Sequence, residues 1–105
     1  MKRKYLFFSL LLAGSSLYAQ EWPAVRPEAR PATRWWWLGS AVDATNLTYN
    51  LEEYAKAGLG GVEITPIYGV QGNDKNNLPF LSPQWMNMLQ HTEIEGKRIG
   101  IEVDM

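Results

Sequence analysis

Apolar residues recur along this chain with two periods, and the alternation of those periods lays out its elements. Leu47, Leu51, Tyr54, Ala55 and Gly58 fall at helical spacing, with Glu52, Glu53 and Lys56 off that stripe. Asp43 stands where a side-chain cap is needed, so the spacing predicts a first helix over residues 44–57. Trp85, Met88, Leu89, Thr92, Gly96 and Ile99 make a second stripe. Ser82-Pro83 supplies a capping hydroxyl followed by proline at the first helical position. Lys97 and Arg98 fall in the last turn, where the helix dipole favours cations, and Gly100 closes the helix. Three short runs complete the pattern. Residues 34–38 are aromatic, residues 61–67 are largely β-branched, and residues 101–105 alternate apolar and acidic. Residues 68–81 carry Gly69, Gly72, Asn73, Asp74, Asn76, Asn77 and Pro79, and read as a surface loop long enough to be functional.

The resulting order is β-α-β-α-β. Strands alternating with helices imply a parallel α/β sheet with right-handed crossovers. Three strands and two helices bury little on both faces of a sheet, whereas an eight-fold barrel takes about 250 residues. The expectation is therefore the amino-terminal part of a larger α/β protein, against the alternative of a complete small domain.

Glu63 is the residue this pattern makes conspicuous. It interrupts the run Val62-Glu63-Ile64-Thr65, and a carboxylate inside a buried strand is costly unless paired or bound. Side chains alternate along a strand, so Val62 and Ile64 share one face, and Glu63 and Thr65 the other. In the last strand Ile101 and Val103 share a face opposite Glu102 and Asp104. In a barrel the aliphatic pairs would pack on helices, while Glu63, Thr65 and Asp104 would point inward near the rim. Adjacent strands lie about 4.8 Å apart, which makes Glu63 and Asp104 candidate neighbours sharing a proton, a cation or a substrate's hydroxyls. The competing role for Glu63 is an ion pair with Arg34. Trp35, Trp36 and Trp37 divide between the two faces, and a ring at the strand's carboxyl end could stack on a sugar, although core filling accounts for most of the triplet. Tyr68 opens the loop that could shape a pocket. His91, the only histidine, has no Cys or second His to accompany it and reads as solvated, not as a ligand. The sequon Asn46-Leu47-Thr48 lies within a helix and is discounted. Gly58-x-Gly60-Gly61 precedes a strand, so it is not a dinucleotide fingerprint.

Composition narrows the setting. Among 105 residues there is no cysteine, the net charge is −1, and there are five tryptophans. No disulfide scaffold, thiolate metal site or basic nucleic-acid footprint follows from this. Residues 1–19 combine a basic head, an apolar run too short to span a bilayer, and Leu17-Tyr18-Ala19 before a cut. They read as a secretory leader, which sends the chain to the periplasm or outside the cell with no stable membrane span. Residues 20–33, with Pro23, Pro27 and Pro31, read as an extended, solvated linker.

Four stretches carry a resemblance: Arg30-Pro31-Ala32-Thr33-Arg34-Trp35-Trp36-Trp37-Leu38-Gly39; Asn46-Leu47-Thr48-Tyr49-Asn50-Leu51-Glu52-Glu53-Tyr54; Gly58-Leu59-Gly60-Gly61-Val62-Glu63-Ile64; and Pro79-Phe80-Leu81-Ser82-Pro83-Gln84-Trp85. Together they resemble the start of glycoside hydrolase family 106, whose members are exported bacterial α-L-rhamnosidases. The resemblance implies a (β/α)8 barrel that hydrolyses terminal α-L-rhamnosyl linkages of oligo- or polysaccharides with inversion, helped by calcium. Inversion needs an acid and a base about 6.5–9.5 Å apart. The family's catalytic glutamates lie downstream, so no residue here is matched to them and this segment alone is expected to be inactive. Strand parity and the loop make Trp37, Glu63, Tyr68 and Asp104 the substrate-lining candidates, with Glu63 and Asp104 also candidates for calcium. A small exported carbohydrate-binding or interaction module, or a non-functional remnant, stands as the alternative.

Overall fold

The computed structural model describes residues 21–105, so the leader expected over residues 1–19 lies outside the described residues. A 3-10 turn, Pro27–Ala29, precedes β1 (Ala32–Leu38), α1 (Ala44–Lys56), β2 (Gly61–Ile67), a second 3-10 turn (Asp74–Asn76), α2 (Pro83–Ile99) and β3 (Glu102–Asp104). The protein is α/β, with a three-stranded parallel sheet in the order β1-β2-β3. Among the described residues no helix is long and apolar enough to cross a membrane.

Each helix begins and ends for a local reason. Asp43 accepts the Asn46 backbone N–H at 2.9 Å and its side-chain amide at 2.6 Å. These bonds, the backbone one first, hold the Asp43 carboxyl below its ordinary range. Ser82 accepts the Trp85 N–H at 3.2 Å, with Pro83 in the first turn. At the far end Gly100 adopts the left-handed conformation, φ 85°, and donates to Gly96 O.

Both helices cover the same face of the sheet. Trp35 and Trp37 from β1, Val62 and Ile64 from β2, Leu47 and Leu51 from α1, Trp85 from α2, and Ile101 form one core. Its aromatic rings meet edge to face: Trp35 and Trp37 at 5.9 Å between centroids, Trp37 and Trp85 at 5.9 Å, and Trp35 and Tyr54 at 5.6 Å. Gly96 brings α2 close to β3, since a Cβ there would stand 2.7 Å from Val103 Cγ2 and 2.8 Å from Ile101 O.

The two helices are also tied to each other by polar groups. Arg98 Nη2 donates to Glu52 Oε1 at 2.9 Å and to Glu95 Oε2 at 2.7 Å. His91 Nε2 lies 3.0 Å from Ala44 O and 2.9 Å from Thr48 Oγ1. The expected solvated histidine is thus a half-buried bridge, because the amino-terminal turn of α1 packs across the α2 flank that carries it. A carbonyl only accepts, so the bond to Ala44 places the proton on Nε2.

The amino-terminal stretch is extended and exposed as far as Ala32, apart from its one turn. It is fastened at its end: Gly60 N donates to Pro31 O at 2.9 Å, and Gly60 has space only for a hydrogen, with Pro27 O 2.5 Å from where a Cβ would lie. That contact aligns Ala32 with Gly61 and starts β1 two residues before the aromatic run predicts.

Candidate functional site

Parallel pairing sets residues of the three strands into rows. Arg34 is opposite Glu63, and Glu63 is opposite Asp104. Trp36 is opposite Thr65, and Leu38 opposite Ile67. These rows occupy the face that the helices leave open. Toward the strands' amino ends the open face is ionic, and toward their carboxyl ends it is aromatic and aliphatic.

The ionic row is a surface arrangement. Arg34 Nε and Glu63 Oε2 are 3.5 Å apart, with the two side chains 59% and 49% exposed. Glu63 therefore has the Arg34 partner weighed from the sequence, but it escapes the desolvation that made it conspicuous, because nothing covers this face among the described residues. A pair so exposed contributes little to stability. Asp104 stands beside Glu63 in register, and its Oδ1 accepts the Met105 N–H at 2.8 Å.

The tryptophan triplet divides by parity. Trp37 is 1% exposed and sits in the core beneath the helices, on the opposite face from Glu63 and Asp104. It does not join them as a substrate-lining residue. The ring on the open face is Trp36, 58% exposed. Sequence reasoning passed over Trp36, although the signal was present: Trp36 shares the parity of Arg34, the partner proposed for Glu63.

A second feature lies at the carboxyl rim. After β1, Gly39 and Ser40 take left-handed conformations in succession, φ 62° and 49°. Ser40 is held there by the Trp85 indole N–H, which donates to its Oγ at 3.0 Å. Phe80 lies edge-on against the same indole at 4.9 Å. After β2, Tyr68 is 83% exposed. Between the two loops is a hollow of about 410 Å³ lined by Gly39, Ser40, Ile67, Tyr68, Leu78 and Phe80, together with Pro66 and Gly69. The Asn77 side chain fits between the loops: a Cβ on Gly39 would collide with its carboxamide, and one on Gly69 would stand 2.7 Å from its Nδ2. Leu78 N donates to Gly39 O at 3.1 Å and closes the contact. Two side-chain atoms among the described residues are buried without a hydrogen-bond partner, Trp37 Nε1 and Asn77 Oδ1.

Of the predicted site residues, the structure brings Glu63 and Asp104 together, sets Tyr68 at the rim of the hollow and buries Trp37. Among the described residues no three His, Cys, Asp or Glu side chains converge as metal ligands. The site offers surfaces for binding: an ionic row, an exposed indole and a rim hollow with uncharged walls. No protein-family model matches the chain, and no curated protein matches it significantly.

Proposed function

We propose that this chain forms the opening wall of a (β/α)8 glycoside hydrolase barrel, exported from the cell, which cleaves terminal α-L-rhamnosyl linkages with inversion. The observation that carries the proposal is the placement of the helices. Three consecutive parallel strands lie side by side in chain order with both connecting helices on one face. In a barrel the helices form the outer ring, and the strands' other face points inward. Arg34, Trp36, Glu63, Thr65 and Asp104 then face the interior, and Tyr68 stands on the catalytic rim. The resemblance of the Trp-Trp-Trp and Gly-Gly-Val-Glu-Ile stretches to the rhamnosidase family supplies the substrate class.

In this assignment the segment binds substrate, and the acid and base come from glutamates outside it. Calcium, which the resemblance implies, meets too few ligands here. The ion takes six to eight oxygens, whereas the row supplies two carboxylates, one of them already beside the Arg34 guanidinium. The described residues do not make a calcium site.

The test is hydrolysis of a chromogenic α-L-rhamnoside, by the protein isolated from its own cells and by a polypeptide of residues 20–105. The native protein is expected to cleave it, to have a mass well above that of 105 residues, and the short polypeptide to be inert. Cleavage by the short polypeptide would sink the proposal. The exposed aromatic rings also suit a small carbohydrate-binding module; that function requires a native product of this length that is folded and binds sugar without cleaving it.

A further inference from the structure

We infer that the rim hollow is a pocket for a single neutral sugar ring, held between Tyr68 and Phe80, with Asn77 as the residue that positions its two loops. The inference rests on the carbohydrate assignment above and names where in this segment the sugar sits.

Four observations converge on it. The hollow lies at the carboxyl ends of β1 and β2, the end of a parallel sheet at which ligands bind. Its volume of about 410 Å³ is near the lower end of ligand pockets, which run from about 300 to 1,000 Å³, so it suits a compact ligand. No charged side chain lines it, so neither an anion nor a cation would be compensated there. Its walls are Ile67, Leu78 and two exposed aromatic rings, with the Tyr68 hydroxyl at hand, while the buried Ser40 hydroxyl is engaged by Trp85. Apolar walls with an exposed hydroxyl at the rim match a molecule with C–H faces and a hydroxyl rim, which is the chemistry of a neutral pyranose.

The walls are held in place from behind. Phe80 leans on Trp85, and Trp85 holds Ser40, so one buried indole anchors both sides of the hollow. Asn77 fills the space left by two glycines, one in each loop. Its buried Oδ1 makes no hydrogen bond, so the carboxamide is kept there by fit. An unpaired buried acceptor is unusual enough to need a reason, and the reason here is the spacing of the loops.

The experiment is binding of L-rhamnose and of D-glucuronate to the native protein, followed by ligand-observed NMR, alongside hydrolysis of the chromogenic rhamnoside. Rhamnose is expected to bind in preference to glucuronate. Tyr68→Ala and Phe80→Ala, both at exposed positions, are each expected to weaken rhamnose binding about tenfold, as loss of one ring contact does. Asn77→Ala is expected to weaken binding with kcat little changed, and Asn77→Leu, which keeps the shape without adding a buried charge, to restore it. Undiminished binding by the Tyr68 and Phe80 variants overturns the pocket while leaving the rhamnosidase assignment standing. Ring-dependent rhamnose binding without hydrolysis does the reverse. Tighter binding of glucuronate, or no binding of rhamnose, overturns the inference.

Discussion

Three consecutive tryptophans on β1 meet two environments. Trp35 and Trp37 are 7% and 1% exposed and are enclosed by α1 and α2, whereas Trp36, between them, is 58% exposed on the other face. The same residue type serves as core on one side and as surface on the other, and what decides is which face the helices cover. The covered face is closed by apolar side chains and edge-to-face rings. The open face carries its charges in a row that the strand register sets out. The covered face accounts for the fold, while the open face and the rim above it stay exposed among the described residues.

This contrast is most sharply tested by truncating one ring on each side. Trp85→Ala empties a fully buried site and is expected to lower stability by about 3–5 kcal/mol, read as a fall in the urea midpoint. In a polypeptide of residues 20–105, where the open face is uncovered, Trp36→Ala is expected to stay within about 0.5 kcal/mol of the unsubstituted chain. Equal losses would mean that the open face is itself covered in solution. The next largest effect belongs to Gly96→Ala. The new methyl would press on the Ile101 backbone at 2.8 Å, which cannot yield as a side chain can. A loss of about 1–3 kcal/mol is expected, and an unchanged midpoint would show that α2 stands further from β3 than described.

Smaller still is the Arg34–Glu63 pair. In the polypeptide of residues 20–105, Arg34→Ala is expected to cost under about 1 kcal/mol and to lose that effect in high salt; a larger, salt-resistant loss would place the pair in a buried setting. The last effect depends on pH. Arg98 donates to Glu95 and, with help from the Thr48 hydroxyl, holds its carboxyl below the ordinary value of 4.5 against a smaller opposing effect of burial. The folded state therefore favours the ionised form. Its contribution is complete above the ordinary value and is lost as the pH falls through the lowered one. The difference in melting temperature between wild type and Arg98→Ala should shrink as the pH falls below the ordinary value of 4.5. A difference that persists at low pH would mean that Arg98 acts through packing of its stem.

The elements were legible because their signals are local. Ser82-Pro83 and Gly100 mark the ends of α2 through capping chemistry that a few neighbouring residues contain. The bounds of β2 follow from its β-branched run and its flanking glycines. Side-chain parity on β2 and β3 was equally plain, so Glu63 and Asp104 could be placed together. Parity on β1 was plain too, but it had to be tied to β2 through register, and the bond from Gly60 to Pro31 that aligns them joins distant parts of the chain. Trp37, nearer the strand's carboxyl end, was proposed where Trp36 stands, since only Arg34, as the candidate partner of Glu63, linked parity on the two strands. His91 was misread for the same reason: its partners, Ala44 and Thr48, lie on the other helix. Nothing local to Asn77 reveals that its carboxamide separates Gly39 from Gly69.

The loop after β2 is two structures in series. From Val70 to Asn77 its backbone turns bond to one another, Asn73 to Val70, Asn76 to Asn73 and Asn77 to Asp74. At Asn77 and Leu78 it joins the β1 turn. The first part can lengthen at the modest entropic expense of a longer loop, which grows only with the logarithm of its length, while an added residue in the second would separate the walls of the hollow. The tip near Gly72, where a side chain would meet nothing within 4 Å, is thus the place where this fold can accept new sequence. Whatever is inserted there would stand beside Val70 and Asn73, which line a separate cavity with Trp36 and Asn46, and would leave the residues that form the hollow undisturbed.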